Sequence, residues 1–167
     1  MKKTILLIGT LVIASLFAGC SKDEEKNLLI GTWESNLLTE IFNGNSSPSD
    51  IKGRETLIFY ADKKVEWKVK TYTDTYFFEG IYTTKGNSIT LTFTNPVLGT
   101  SFVKGPGEVF EISLFSNGET AIATVTKQTF LINGDNLTLE KTAEVTFSSL
   151  GASTYIMKTT YKKVATQ

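Results

Sequence analysis

The sequence predicts an all-β domain, an antiparallel up-and-down meander of about eight to ten strands. Apolar residues alternate with polar ones along most of the chain, most clearly from Lys64 to Lys70, where charges flank every apolar residue. Threonine, valine, isoleucine and aromatic residues dominate these segments, as is typical of half-buried strands. Short turns such as Asn133-Gly134-Asp135 separate them. Because Asn-Gly tolerates the positive φ of tight hairpins, strands that are neighbours in sequence are expected to pair.

Residues 1–19 have the layout of a secretory signal peptide. Lys2 and Lys3 precede an apolar stretch from Ile5 to Phe17, which is too short to span a bilayer. The following Ala18-Gly19-Cys20 resembles the processing site of bacterial lipoproteins. The resemblance implies that Cys20 receives acyl chains such as palmitate and anchors the mature protein in outer-membrane lipid. The alternative is an ordinary exported protein, or an uncut membrane anchor, whose cysteine happens to follow the apolar stretch.

Residues 20–27 are predicted to be a lipidated, flexible tether. Lys22, Asp23 and Glu24 resemble the export signal of surface lipoproteins in Bacteroidota, which implies a protein that faces outward from the cell. A plain solvated linker has the same charged, apolar-poor composition and is the alternative. The remaining residues, 28–167, are predicted to form one domain, because about 148 mature residues suffice for a single core.

The strands predicted in this domain follow the alternation and the turns. They are Ile30–Leu38, Thr56–Tyr60, Lys64–Lys70, Thr75–Thr84, Ser88–Thr94, Glu108–Phe115, Thr120–Thr126, Gln128–Ile132, Asn136–Glu140, Thr142–Phe147 and Thr154–Val164. Two longer connections, residues 43–53 and 95–107, carry several Asn, Ser, Gly or Pro residues and are predicted to be loops. The only helical turn expected lies near residues 24–29.

Strands in hairpin order either close into a barrel, which removes exposed edges, or split into a sandwich. Gly31-Thr32-Trp33 resembles the Gly-x-Trp signature of lipocalins and related calycin barrels. Later segments resemble the lipocalin-like domains of Bacteroidota lipoproteins, namely Phe59–Val65, Gly80–Tyr82, Asn87–Leu91 and Asn136–Leu139. The resemblance implies a lipocalin-like barrel whose base is closed by Gly31 and Trp33. In the last strand, Lys158, Lys162 and Lys163 stand where lipocalins set an arginine against the tryptophan.

Aromatic residues on the predicted inward faces are candidates for a ligand cavity. They are Trp67, Phe78, Tyr82, Phe93 and Phe110. Ligand pockets are mostly apolar with a few placed polar groups, although the same side chains can instead fill the barrel as core. The sequence predicts a protein that binds a small, largely apolar ligand. The alternative is a filled, structural barrel that contacts a protein or glycan partner through residues 43–53 and 95–107.

Composition argues against catalysis and against a nucleic-acid partner. The chain has no histidine, its one cysteine is the predicted acylation site, and no glycine-rich phosphate loop is present, so no catalytic residue, metal site or cofactor is predicted. Glycoside hydrolysis needs only two carboxylates; Glu79 and Glu111 are the candidates, with Glu79 expected to face outward. Loss of Lys2 and Lys3 leaves 15 basic against 17 acidic side chains, so no basic face for nucleic acid is expected.

Overall fold

The computed structural model describes residues 28–94, 101–113 and 118–165, which form eleven strands in one antiparallel sheet. The strands are β1 (Gly31–Phe42), β2 (Asn45–Asp50), β3 (Glu55–Phe59), β4 (Lys64–Lys70), β5 (Thr75–Lys85), β6 (Ser88–Thr94), β7 (Ser101–Lys104), β8 (Val109–Ser113), β9 (Thr120–Asn133), β10 (Asn136–Phe147) and β11 (Gly151–Val164). Leu28 and Leu29 are helical and precede β1. The predicted all-β antiparallel meander is confirmed.

Eight of these strands close into a barrel, in the order β6, β5, β4, β3, β1, β11, β10 and β9. The barrel closes where Ser88 of β6 pairs with Thr129 of β9. Two hydrogen bonds flank this pair. The Phe130 N–H donates to the Asn87 carbonyl at 2.8 Å, and the Ser88 hydroxyl donates to the Gln128 carbonyl at 3.1 Å. The alternative of an open sandwich is thereby excluded.

The barrel widens at its other end, where β6 and β9 separate. The last four residues of β6 pair with β7, and the first five residues of β9 pair with β8. A turn at Gly105–Glu108 joins the two short strands, with the Glu108 N–H donating to the Gly105 carbonyl at 2.9 Å. The prediction of a loop over residues 95–107 is therefore wrong for Ser101–Lys104. Four alternating residues are too few for periodicity to indicate a strand, and pairing with β6 fixes their conformation.

The prediction of a loop over residues 43–53 is also wrong in part. Asn43 and Gly44 form a tight turn with φ values of 48° and 79°, and β2 then pairs back along β1. All six residues of β2 are exposed, so no alternation of apolar and polar side chains marks this strand in the sequence. Two consecutive positive φ values are the signature of the Asn-Gly hairpin turn.

Strands β9 and β10 each combine two predicted strands into one. The pairing between them shifts at Thr126, since Thr142 lies opposite Lys127 whereas Ala143 lies opposite Val125. The extra residue is a β-bulge, which interrupts the alternation without ending the strand. The predicted breaks after Thr126 and after Glu140 are consequently wrong. The bulge turns both Val125 and Gln128 toward the interior, where both are buried.

Two apolar clusters line the inner face of the sheet. The first fills the barrel around Trp33 and comprises Leu29, Trp33, Leu57, Phe59, Val65, Tyr82, Ile89, Leu91, Phe93, Phe130, Leu137, Leu139 and Tyr161. The second lies on the extensions of β9, β10 and β11 beyond the barrel and comprises Ala123, Val125, Ala143, Val145, Phe147 and Tyr155. The barrel is therefore filled by side chains around Trp33, and the sheet continues beyond the barrel as an open surface.

Gly80 allows β5 and β6 to approach closely. A Cβ atom at this position would lie 2.1 Å from the Thr92 carbonyl oxygen, which is a backbone atom and cannot rotate away. We therefore expect Gly80→Ala to push the two strands apart and lower the free energy of unfolding by about 1–3 kcal/mol. Urea denaturation checks this, with exposed Thr83→Ala in the same strand as the control. Equal urea midpoints for the two variants would contradict the close approach.

Candidate functional site

A cavity of about 350 Å³ lies inside the barrel, against the apolar cluster that surrounds Trp33, although Trp33 itself does not line it. Its inner wall is formed by residues that also belong to the barrel core, namely Leu57, Leu91, Leu139 and Tyr161. Leu38 on β1, Ile51 just after β2, and Met157 on β11 also line the cavity. The volume falls within the ~300–1,000 Å³ typical of small-ligand sites. The barrel is therefore filled around Trp33 and hollow beside that cluster.

Trp67 on β4 is the largest aromatic side chain on the cavity wall. Its ring stacks on Phe78 with centroids 5.0 Å apart, and it lies 5.5 Å from Phe93 and 6.4 Å from Phe102. These contacts hold the indole against β5, β6 and β7, since aromatic pairs at such spacings attract one another beyond simple burial. Trp67 thus presents a fixed apolar surface to the cavity.

Glu55, at the start of β3, places a carboxylate in this wall. Its Oε2 accepts hydrogen bonds from the Tyr161 hydroxyl at 3.0 Å and from the Trp67 indole N–H at 3.4 Å. The backbone here is fixed by buried Ser35, whose hydroxyl accepts from the Glu55 N–H and donates to the Ile51 carbonyl. Burial, with the neighbouring Glu55 charge adding to it, raises the pKa of Tyr161 well above its ordinary value. Tyr161 therefore remains a neutral donor.

Lys104, the last residue of β7, brings a cation to the same cavity. Its Nζ lies 3.8 Å from the centroid of the Trp67 ring, in the geometry of a cation–π contact. Loss of solvation, reinforced by repulsion from Lys141, lowers the pKa of Lys104 to about 8, although Glu55 and Glu108 attract the charge. Among the described residues, no carboxylate lies within ion-pair distance of this ammonium.

Gln128 on β9 is fully buried and also lines the cavity. Its Nε2 donates to the Ile89 and Lys104 carbonyls, both at 3.4 Å, which fixes the orientation of the amide because those oxygens can only accept. The Oε1 atom has no hydrogen-bond partner within the described part of the chain. Buried acceptors are almost always satisfied, so this oxygen is an unusual feature of the wall.

A salt bridge beside the cavity ties the β7–β8 turn to β10. Lys141 Nζ lies 2.5 Å from Glu108 Oε2, and both side chains are largely buried, at 14% and 18% exposure. The same oxygen accepts from the Gly105 N–H at 3.1 Å. Glu108 therefore neutralises Lys141 and also holds the turn that follows Lys104.

We expect Glu108→Gln to lower the free energy of unfolding by about 1–3 kcal/mol, because Lys141 keeps its charge but loses its counter-ion. The matched control is Glu140→Gln. Glu140 pairs with Lys158 at 2.9 Å on the surface, where the side chains are 37% and 40% exposed, so its loss should cost less than about 1 kcal/mol. Urea denaturation of both variants measures the difference, and equal losses would show that burial of the first pair has no energetic consequence.

The structure separates the aromatic residues predicted for a ligand cavity. Trp67 lines the cavity, whereas Phe78 and Phe93 contact the Trp67 ring and are not among the lining residues. Tyr82 is buried in the core beside Phe59, with its hydroxyl donating to the Tyr60 carbonyl. Phe110 lies elsewhere, on β8 against the second apolar cluster.

Phe110 lines a second, more open cleft of about 530 Å³ together with Phe42, Tyr155 and Met157. The Tyr155 hydroxyl donates a hydrogen bond to Glu40, and burial together with this contact raises the pKa of Tyr155. The carboxylates considered for glycoside hydrolysis, Glu79 and Glu111, are both exposed, and only Glu111 lines this cleft. The five predicted aromatic residues thus do not share one site.

Gly31 and Trp33 stand at the closed end of the barrel. Trp33 is completely buried and its indole N–H donates to the Leu29 carbonyl at 2.8 Å. Lys163 Nζ lies 5.2 Å from the Trp33 ring centroid and covers it from the last strand, while Gly31 lies against the same lysine side chain. Cys20, Lys22, Asp23 and Glu24 lie outside the described residues.

The sequence pattern did not point to Lys104, Gln128 or Glu55 as residues of the cavity. Each lies two residues from an apolar neighbour with the same inward orientation, namely Phe102, Phe130 and Leu57. That two-residue spacing is the only sign in the sequence that these side chains face inward. It can be recognised only once strand β7 and the bulge at Thr126 are known.

The sequence matches no protein-family model, and comparison with curated proteins and with solved structures gives no match. None of the helical residues that the structure describes belongs to a helix long and apolar enough to cross a bilayer. In the same described residues, no group of three or more Asp, Glu, His or Cys side chains is placed to hold a metal ion. The assignment of a function therefore depends on the cavity and on the sequence.

Proposed function

We propose that this protein is a surface-exposed lipoprotein of the outer membrane whose lipocalin-like barrel binds a small, largely apolar ligand. The observation that carries the proposal is the cavity beside Trp67, which lies inside a barrel plugged by Trp33. An apolar hollow with a few convergent polar groups is the usual form of a small-ligand site. The proposed role is binding, and without histidine the chain lacks the commonest general base of enzymes.

The membrane anchor is supported by the sequence alone. Ala18-Gly19-Cys20 after a short apolar segment resembles a lipoprotein processing site, and Lys22-Asp23-Glu24 resembles the surface-export signal of Bacteroidota. Several acyl chains on one cysteine make a stable anchor without a membrane-spanning helix. A barrel on such a tether would sample amphiphiles close to the membrane.

Native mass spectrometry of residues 21–167 tests the ligand. This segment contains every described residue, and the barrel closes through its own strand pairings, so it is expected to fold without the anchor. Protein purified without detergent and incubated with a bacterial lipid extract should carry a stoichiometric adduct that denaturation releases. Trp67→Ala should lose the adduct, whereas Tyr72→Ala, an aromatic residue 97% exposed, should keep it.

An unmodified apo mass under every condition would contradict the carrier function. The alternative would then gain support, namely a structural module that meets a protein or glycan partner through residues 43–53 and 95–107. An adduct retained in both variants would place the ligand outside the cavity.

The anchor has its own test in the full-length protein. We expect Cys20→Ser to abolish incorporation of labelled palmitate and to release the protein from the outer-membrane fraction, because serine lacks the thiol that receives the lipid. Lys22→Ala with Asp23→Ala should leave acylation intact but reduce accessibility to added protease at the cell surface. Labelling that persists in Cys20→Ser would refute the lipoprotein assignment.

A further inference from the structure

Among the described residues, no carboxylate lies within ion-pair distance of the Lys104 ammonium. Its nitrogen lies over the Trp67 ring at 3.8 Å, and the nearby Lys141 is already neutralised by Glu108 at 2.5 Å. Glu55 attracts Lys104 but uses its Oε2 to accept from Tyr161 and Trp67. A partly buried charge without a counter-ion is unfavourable unless something else stabilises it.

Gln128 adds a second unmatched group to the same wall. Its Nε2 is bound to two backbone carbonyls, one of them that of Lys104, so the amide lies beside the end of β7. The Oε1 atom is buried and accepts no hydrogen bond in the described part of the chain. Because an amide oxygen can only accept, its complement must be a hydroxyl or an N–H group.

Half of the residues that line the cavity are apolar, and Leu57, Leu91 and Leu139 among them belong to the barrel core. Trp67, Leu91 and Leu139 bound the cavity on β4, β6 and β10. This apolar part of the wall suits a hydrocarbon or ring system.

We propose that the ligand is an amphiphilic carboxylate, with its acid group bound by Lys104, a neighbouring hydroxyl or N–H donated to Gln128 Oε1, and its apolar part against Trp67. This inference rests on the proposed function, since it names the class of ligand that the cavity takes. Because Glu108 neutralises Lys141, Lys104 supplies one positive charge to the inner wall, and one carboxylate balances that charge. Arg54, the only arginine of the chain, also lines the cavity, but it is exposed and its guanidinium carbon lies 5.8 Å from the Tyr72 ring centroid.

The binding should depend on the protonation of Lys104. Charged or titratable groups that line the cavity or act on Lys104 are Glu55 on β3, Lys70 on β4, Glu108 in the turn before β8, Lys141 on β10, Tyr161 on β11 and Arg54. The pKa of Lys104 is about 8, so the ammonium is mostly charged at pH 7 and mostly neutral at pH 9.5. Affinity for a carboxylate is therefore expected to fall about tenfold or more between these two pH values, because binding takes up a proton.

Calorimetric titration of residues 21–167 tests the proposal with N-decanoylglycine, which carries a carboxylate, an amide N–H and an apolar tail. Its methyl ester and dodecanoate are the comparison ligands. N-decanoylglycine should bind one to one, at least tenfold more tightly than its ester and several-fold more tightly than dodecanoate. Lys104→Met should lower the affinity for N-decanoylglycine at least tenfold and change the affinity for its methyl ester less than threefold. Gln128→Met should erase the preference for N-decanoylglycine over dodecanoate.

The ester separates this inference from the proposed function. If acid and ester bind the wild-type protein equally, or if Lys104→Met weakens both alike, the carboxylate assignment is refuted while the cavity remains a ligand site. If neither compound binds and the neutral apolar dye N-phenyl-1-naphthylamine also fails to bind, the proposed function and this inference both fail. Binding of the ester by Lys104→Met shows that this variant has kept its fold.

Discussion

Trp33→Ala should leave the barrel close to unfolding. The side chain is fully buried, is the largest in the core, and its indole N–H donates to the Leu29 carbonyl at 2.8 Å. Its removal empties the closed end of the barrel, and losses of a buried tryptophan cost about 3–5 kcal/mol. A domain of this size has a total stability of about 5–15 kcal/mol, so most of that reserve would be lost. Urea denaturation followed by far-ultraviolet circular dichroism measures the effect.

Leu131→Ala is the control for this experiment. Leu131 is 67% exposed on β9, so its truncation should change the free energy of unfolding by less than about 0.5 kcal/mol. The free energy of unfolding of Trp33→Phe should fall between those of the other two variants, because phenylalanine keeps an aromatic ring but leaves the Leu29 carbonyl without its donor. If Trp33→Ala unfolds at the same urea concentration as Leu131→Ala, Trp33 does not plug the barrel.

Lys104→Met should stabilise the ligand-free protein at neutral pH, which is unusual for a change in a ligand site. Loss of solvation lowers the pKa of Lys104 from 10.5 to about 8, so the folded state disfavours the charged form. Each pKa unit corresponds to about 1.4 kcal/mol, which makes the gain on the order of 3 kcal/mol at pH 7. Methionine fills similar space without a charge.

The gain should shrink as the pH rises. Between pH 8 and 10.5 the unfolded chain binds more protons at Lys104 than the folded chain, so the stability of the wild-type protein increases with pH relative to the variant. We expect the advantage of Lys104→Met to fall to about 1–2 kcal/mol at pH 9.5. Urea denaturation of both proteins at the two pH values measures it. A variant that is less stable than wild type at pH 7 would mean that the ammonium is well solvated.

Much of the barrel follows from local patterns in the sequence. Where one face of a strand is buried and the other is wet, as in Lys64–Lys70, alternation alone predicts the strand. It fails for β2, whose residues are all exposed, and at the Thr126 bulge, where two strands were predicted in place of one. Closure between Ser88 and Thr129 joins residues far apart in the sequence, which periodicity cannot specify.

The apolar part of the candidate site could be predicted from the sequence, whereas the polar part could not. Trp67 alternates with Val65 and Val69 and could be placed on an inward face. Lys104 lies on a four-residue strand that was predicted to be loop, and the inward orientation of Gln128 depends on the bulge before it. A lysine or a glutamine is usually exposed, so nothing in composition indicated that these two would face the interior.

Two unfavourable features lie on the same wall of the cavity. The charge of Lys104 loses solvation, and Gln128 Oε1 accepts no hydrogen bond from the described residues. Polar groups that weaken the folded state are concentrated at functional sites, because a sequence selected for stability alone would replace them. Replacement by apolar residues would fill this part of the barrel, as Trp33 fills the closed end. Their presence is the physical reason to regard the cavity as a ligand site rather than as a packing defect.

The most direct test of the cavity as the binding site is a crystal structure of residues 21–167 grown with 11-bromoundecanoate, in which anomalous scattering locates the bromine. We expect one bromine position within the space bounded by Trp67, Leu91 and Leu139, with the carboxylate beside Lys104 Nζ. A bromine in the cleft lined by Phe110 and Tyr155, or no bound molecule at saturating concentration, would contradict it.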